Sequence, residues 1–167
     1  YMILVIIIII VCVIGVFWLR KNFFKFDRRL TSEEKEIIEK YINDNNTSNL
    51  EEGMTFASTY YFGDRLNNDK IDVYLWTIFE EYDVRDHLFS QNKKMNNASI
   101  LTIDVSDDKF EIIDYKVIDN NKEIEKTFPI AIRDVAVSFK ESEDYQKLEE
   151  ENDKMIDTYK EYFKESE

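Results

Sequence analysis

The chain opens with nineteen residues that carry no charged side chain, and Arg20 and Lys21 follow them at once. As an α-helix, a run of this length rises about 28 Å, close to the roughly 30 Å hydrocarbon core of a bilayer. The sequence therefore predicts a transmembrane helix over residues 1–19. Residues 31–163 are then predicted to form a single domain, since they are too few for two domains of ordinary size.

Residues 20–30 alternate basic and aromatic side chains, which predicts a collar at the membrane interface. The predicted partner of residues 1–30 is thus the lipid bilayer. Positive charge after the span favours a domain facing the cytoplasm. However, the chain begins at Tyr1 without an initiator Met, so we expect upstream residues, and a basic leader there would reverse the orientation. The only cysteine, Cys12, lies within the span and leaves the domain without a disulfide.

The net charge of −13 arises beyond the collar, because residues 20–29 contain five basic residues and one acidic one. A surface this acidic repels phosphate, so nucleic acid is excluded as a partner. Twelve Phe and ten Tyr supply a core, while three Gly and one Pro are too few for a disordered linker. These features predict a folded acidic domain.

The periodicity of residues 31–163 predicts an α+β fold. Thr31 and Glu34 fit a capping box at the start of a helix whose apolar face holds Ile38 and Ile42. Alternating or apolar runs predict four strands of an antiparallel sheet, at 54–62, 71–82, 99–105 and 109–118. The polar stretch 83–98 is predicted to be a long excursion from the sheet.

The second predicted strand is apolar on both faces. Val73, Leu75 and Phe79 lie on one face, and Trp76 and Ile78 lie on the other. We therefore predict a central strand covered on both sides, with Trp76 or its neighbour Leu75 in the core.

Helices are predicted after the sheet. Pro129 suits the start of one of them. Further along the chain, six residues recur at alternating spacings of three and four positions. This pattern predicts a helix packed on its own domain, with a coiled coil as the alternative. The stripe comprises Tyr145, Leu148, Asn152, Met155, Tyr159 and Tyr162.

Residue types needed for most catalytic sites are scarce. His87 is the only histidine, and the three glycines stand apart, so neither a zinc site, a Cys–His pair nor a phosphate loop is predicted. Residues 44–48 and 104–108 offer oxygen ligands but lack the Gly and Glu of a calcium-binding EF-hand loop. We therefore predict no metal, no cofactor and no catalytic set.

The motifs Tyr-Leu-Trp (74–76), Glu-Glu-Tyr (80–82) and Phe-Pro (128–129), with Tyr115 and Arg133, resemble an uncharacterised extracytoplasmic domain of Gram-positive membrane-anchored proteins and lipoproteins. The resemblance covers roughly residues 31–163. The chain departs from it at 91–99 and 118–121, so it implies no binding role for those loops. The resemblance implies a domain outside the cell and no particular activity.

Two functions follow as hypotheses. The favoured one is a membrane-anchored extracytoplasmic module that binds a peptide, a wall component or a neighbouring membrane protein. The alternative is a hydrolase of cell-wall polymer that uses Glu80 with Glu81 or Asp83. Adjacent strand residues point to opposite faces, however, so we expect these carboxyls to diverge and Arg133 to form an ion pair with one of them. The candidate binding or structural residues are Tyr74, Trp76, Glu80, Glu81, Tyr82 and Arg133.

Overall fold

The structure of the chain is a computed structural model that describes residues 29–48, 53–85, 88–106 and 110–165. The predicted transmembrane helix, most of the predicted collar and His87 lie outside these residues. Among the helices that the structure describes, none is both long and apolar enough to cross a membrane.

The first described helix, α1 (Ser32–Asn46), begins as its sequence predicts. The Thr31 hydroxyl accepts from the Glu34 backbone N–H, and the Glu34 carboxylate accepts from the Thr31 N–H, which together complete the capping box. Ile38 and Ile42 are fully buried against the sheet. The helix thus covers one face of the sheet with a narrow apolar stripe.

Four antiparallel strands follow as a meander in the order β1-β2-β3-β4. They are β1 (Gly53–Asn67), β2 (Lys70–Arg85), β3 (Leu88–Asp104) and β4 (Glu111–Ile118). A tight turn at Asn68 and Asp69 joins the first two strands, and Asn68 has a φ of 57° that asparagine tolerates better than most residues. The α+β class and the four-stranded antiparallel sheet are therefore confirmed.

β2 is one of the two inner strands of the sheet, and it is buried on both faces as predicted. Leu75 and Phe79 pack with Ile38 and Ile42 of α1. Trp76 contributes to a second core cluster on the opposite face, where the C-terminal helices lie. Leu75 is fully buried and Trp76 is 4% exposed. The prediction that one or the other belongs to the core is confirmed, and the structure places both there.

The prediction of an excursion over 83–98 is wrong, because β2 continues to Arg85 and β3 starts at Leu88. The polar half of β3 pairs with β2 through a regular ladder that is interrupted by one bulge at Asn92. The side chains in this half of β3 are mostly exposed and polar, so the sequence shows no alternation of apolar residues that would predict a strand. The ladder and its polar contacts with β2 hold it in place instead.

The C-terminal helices cover the second face of the sheet. These are α2 (Asn121–Thr127), α3 (Ile130–Val137), which begins directly after Pro129, and the long α4 (Glu143–Glu165). Tyr145, Leu148 and Asn152 are buried, which confirms that α4 packs on its own domain. Its stripe then departs from the prediction, because Ile156 is buried while Met155 and Tyr162 are 40% and 68% exposed.

Candidate functional site

Glu80 and Glu81 lie on opposite faces of the sheet, as the alternation of β2 predicts. The Glu80 carboxylate contacts Asn152 of α4, whereas the Glu81 carboxylate contacts Ser48 just after α1. Both side chains are almost completely buried. The sheet itself therefore separates the two carboxyls, and they cannot share a proton or act on one bond.

Glu80 is saturated with hydrogen-bond donors. Its carboxylate accepts from the Tyr82 hydroxyl at 2.8 Å and from Gln91 Nε2 at 2.5 Å, and it forms an ion pair of 2.9 Å with Lys94 Nζ. Burial alone would raise the pKa of Glu80, but the hydrogen bonds from Lys94, Tyr82 and Gln91 and the charge of Lys94 outweigh it and lower the pKa. Glu80 is thus ionised, and its hydrogen bonds connect β2 with β3 and α4.

Glu81 performs the same task on the other face. Its carboxylate accepts from the Ser48 hydroxyl at 2.7 Å, the Ser48 backbone N–H, the Thr47 hydroxyl at 3.1 Å and Asn92 Nδ2 at 2.6 Å. Burial again acts to raise the pKa of Glu81, and the donors on Ser48, Asn92 and Thr47 lower it in net. The bulge at Asn92 supplies one of these donors, so the backbone irregularity and the buried charge belong together.

The predicted ion pair of Arg133 with one of these glutamates is wrong. Arg133 lies on α3, and its guanidinium donates to the carbonyl oxygen of Phe128. Lys94, directly opposite Glu80 on β3, supplies the cation instead. Lys94 was not predicted as the partner of Glu80 because residues 83–98 were not predicted to form a strand.

The aromatic candidates are core residues. Tyr74 packs edge-on against Phe128, with 5.0 Å between ring centroids. The Trp76 indole N–H donates to Asn96 Oδ1 at 2.7 Å. Tyr82 is 9% exposed, and burial together with its bond to Glu80 raises the pKa of its hydroxyl. All three side chains are buried.

An open concave site lies elsewhere, in a groove of about 630 Å³ that we call the edge groove. Its size is within the range of small-molecule and peptide pockets. It combines an apolar wall with two cations and two carboxylates. The residues that line it are Lys35, Glu39, Ser58, Glu151, Lys154, Met155, Thr158, Tyr159 and Tyr162.

The edge groove lies at the free side of β1, where Ser58 belongs to its lining. Lys35 and Glu39 belong to α1 and Glu151 belongs to α4, and these helices cover opposite faces of the sheet. A cavity lined by both helices and by Ser58 of β1 must therefore lie at the sheet edge. In the part of the chain that the structure describes, β1 pairs only with β2, so this edge has no neighbouring strand.

A short charge network crosses one end of the edge groove. Lys35 Nζ lies 3.7 Å from the Glu39 carboxylate and 3.6 Å from the Glu151 carboxylate. Glu39 Oε1 also accepts from the Thr59 backbone N–H at 2.9 Å and from its hydroxyl at 3.0 Å. Burial raises the pKa of Glu39. The charge of Lys35 and the hydrogen bonds from Thr59 lower it by a smaller amount, so the pKa is raised in net. The groove therefore holds a carboxyl with a perturbed pKa, a frequent mark of functional sites.

Sequence reasoning missed the edge groove. Its residues come from three distant segments, and α4 contributes the exposed Met155 and Tyr162 that the heptad pattern placed in a buried seam. The sequence offered one indication: Ile156 follows Met155, and an apolar residue at this position allows the buried stripe of α4 to shift by one residue. The sequence of a single helix does not, however, indicate that it lies beside the edge of β1.

Within residues 29–48, 53–85, 88–106 and 110–165, no three acidic, His or Cys side chains are grouped so as to hold a metal ion. Comparisons with known proteins add no relative: no protein-family model, curated protein or solved structure matches the chain.

Proposed function

We propose that the chain is a membrane-anchored, extracytoplasmic binding module whose ligand occupies the edge groove. The observation that carries this proposal is the groove itself, an open site with an exposed apolar wall and charges of both signs. Large exposed apolar side chains gathered in a concavity are typical of binding sites. The candidate residues Glu80, Glu81, Tyr74, Trp76 and Tyr82 then act as the scaffold that holds α1 and α4 on either side of that groove.

The sequence supports the location. The uncharged run over residues 1–19 has the length of a membrane span, and the motifs of the domain resemble extracytoplasmic domains. Anchoring would hold the module at the membrane surface, where a wall component or a neighbouring membrane protein is within reach.

A second function, a carboxylate hydrolase of wall polymer, is supported by a different pair than the sequence suggested. Glu39 and Glu151 both approach Lys35 at the edge groove, and the raised pKa of Glu39 suits a general acid. Binding remains the preferred function because Glu39 Oε1 is already held by Thr59 and Lys35, which leaves this oxygen little freedom to approach a substrate.

The test uses the full chain in lipid nanodiscs with two probes, a mixture of soluble muropeptides and a library of short synthetic peptides. Binding should be detected with at least one probe and should weaken at least tenfold in a Met155→Ala/Tyr162→Ala double variant. The matched control is Leu66→Ala/Val135→Ala, which truncates two exposed apolar residues outside the groove and should leave affinity unchanged. Equal affinity of both double variants would overturn the groove as the binding site.

Mass spectrometry of the same muropeptide incubations separates binding from hydrolysis. Binding alone leaves the masses of the probes unchanged. New cleavage products that disappear with Glu39→Gln would establish the hydrolase in place of the binding module.

A further inference from the structure

A second concavity, of about 360 Å³, opens where β4 leaves the sheet, and we call it the polar pocket. The last paired residues of β3 and β4 are Ala98 and Ile118, so β4 does not accompany β3 beyond this point. The chain turns at Asp119 and Asn120 into α2 instead, and the 3₁₀ turn over Phe139–Glu141 supplies a further wall. The polar pocket shares no lining residue with the edge groove.

The bottom of the polar pocket is apolar and has a fixed shape. Asn96 holds it from one side, because its side chain accepts from the Trp76 indole N–H at 2.7 Å and donates to the Tyr145 hydroxyl at 2.6 Å. These bonds exist without a ligand, so the floor is organised in advance. The lining residues of the floor that are at most 4% exposed are Trp76, Ala98, Ile118 and Ile124.

The rim of the polar pocket is open to solvent and has hydrogen-bonding capacity to spare. The side chains of Asp119, Asn121 and Glu141 are exposed, and they form no hydrogen bond or ion pair with other residues that the structure describes. Asn120 uses only its side-chain oxygen, which accepts from the Glu123 backbone N–H at 3.1 Å. A ligand in the pocket therefore meets unused donors and acceptors side by side.

The charges around the polar pocket narrow the class of ligand. Two carboxylates, Asp119 and Glu141, stand against one ammonium group, Lys140, in the described lining, which disfavours phosphates and other anions. Lys140 Nζ lies 5.4 Å from the centroid of the Trp76 ring and occupies the face on which a nucleobase would stack. A ligand without a strong charge and without a flat aromatic ring suits the site best.

We propose that the polar pocket binds a neutral saccharide, with the C–H face of one sugar ring on the apolar floor and its hydroxyls at the rim. Hydroxyl groups both donate and accept, and they match a rim of amides, which do both, and carboxylates, which accept. The inference goes beyond the proposed function, because it assigns a ligand to a second site.

The arrangement of the rim favours a sugar ring over a peptide. Its polar groups come from three separate segments, at 96–97, 119–121 and 140–141, and they surround a compact floor. A ring that carries hydroxyls around its edge can reach all three segments at once. An extended peptide presents its donors and acceptors along a line instead.

The experiment uses the full chain in lipid nanodiscs and three neutral trisaccharides: chitotriose, cellotriose and maltotriose. Saturation-transfer NMR observes the protons of the trisaccharide, and empty nanodiscs are the blank. We expect at least one trisaccharide to bind, with the strongest transfer to the C–H protons of one ring. Its affinity should change by less than about twofold when the salt concentration is raised about tenfold, because an uncharged ligand is not screened.

A double variant, Asn121→Ala/Glu141→Ala, locates the bound trisaccharide. It should weaken binding by at least about tenfold, the loss expected for two hydrogen bonds. Its melting temperature should match that of the parent, because neither side chain bonds to the rest of the described chain. The matched control is Asn67→Ala/Glu125→Ala, which truncates the same residue types at exposed positions outside both concavities and should leave affinity within about twofold.

The outcomes distinguish this site from the edge groove. If no trisaccharide binds, or if Asn121→Ala/Glu141→Ala binds as tightly as the parent, the saccharide site is refuted. If Met155→Ala/Tyr162→Ala alone removes trisaccharide binding, the sugar belongs to the edge groove, which refutes the polar pocket and supports the proposed function. If the polar pocket binds a trisaccharide and no probe binds in the edge groove, the proposed function fails and the saccharide site stands.

Discussion

Glu80 and Glu81 are consecutive in sequence, yet each fastens a different helix to the sheet: the Glu80 carboxylate accepts from Asn152 of α4, and the Glu81 carboxylate accepts from Ser48 at the end of α1. The two faces of the domain are therefore coupled through one peptide unit of β2. A charge that is buried and fully hydrogen-bonded stabilises only while all its partners are in place. This relationship makes the pair sensitive to substitution without any catalytic role.

Replacement of Glu81 by glutamine should destabilise the domain by about 1.5–3 kcal/mol, the range for hydrogen bonds to charged groups. Glutamine has the same shape, but its amide nitrogen cannot accept from Ser48 or Asn92. Denaturant unfolding measures the change. Glu161→Gln, at an exposed position of α4, serves as the control and should fall within about 0.5 kcal/mol of the parent.

The same carboxylates predict how stability depends on pH. Because the pKa values of Glu80 and Glu81 are lowered in the folded state, their contribution is present above the ordinary value of 4.5 and is lost as pH falls through the lowered values. The melting temperature should therefore fall on acidification below about pH 4.5. Glu39 acts in the opposite direction, since its raised pKa favours the protonated form. A Glu81→Gln variant should show a shallower fall, and an unchanged slope would remove Glu81 as a cause.

Truncation of Trp76 to alanine should cost about 3–5 kcal/mol, as for other buried large side chains. The indole packs against Phe139 and Tyr145, and its N–H bond to Asn96 is lost as well. The exposed Val135, truncated to alanine, is the control. An unchanged melting temperature for Trp76→Ala would show that the indole is not part of the core.

A double-mutant cycle on Lys94 and Glu80 should give a coupling energy of about 0.5–1 kcal/mol. This is the upper end for exposed pairs, because Glu80 is buried although Lys94 is half-exposed. The matched cycle on Arg133 and Glu80 should give none, since Arg133 binds the Phe128 carbonyl. Coupling of Arg133 with Glu80 would contradict the structure.

The membrane orientation is tested on intact protoplasts of cells that express the full chain. Protease added outside should digest the domain if the domain faces outward, as proposed. Protection of the domain until the cells are lysed would contradict the proposed orientation. It would favour a domain that faces the cytoplasm, as the basic residues after the predicted span suggest.

How much the sequence predicted depends on where each element obtains its stability. The capping box at Thr31 and the two apolar faces of β2 are local patterns, and both are confirmed. The polar half of β3 is stabilised by its pairing with β2, so residues such as Gln91 and Asn92 carried no apolar signal. The opposite directions of Glu80 and Glu81 followed from the pleat alone, whereas their partners required knowledge of which strand lies beside β2.

The bulge at Asn92 has a consequence for insertions and deletions. Phe89, beyond the bulge, packs its ring against Tyr82, Tyr159 and Phe163 on the α4 face. Without the additional residue, the start of β3 would move by one position along β2, and each side chain there would turn to the opposite face. Phe89 would then leave its aromatic neighbours. Loss of one polar surface residue would thus disrupt the domain interior, although the deleted side chain is not itself part of it.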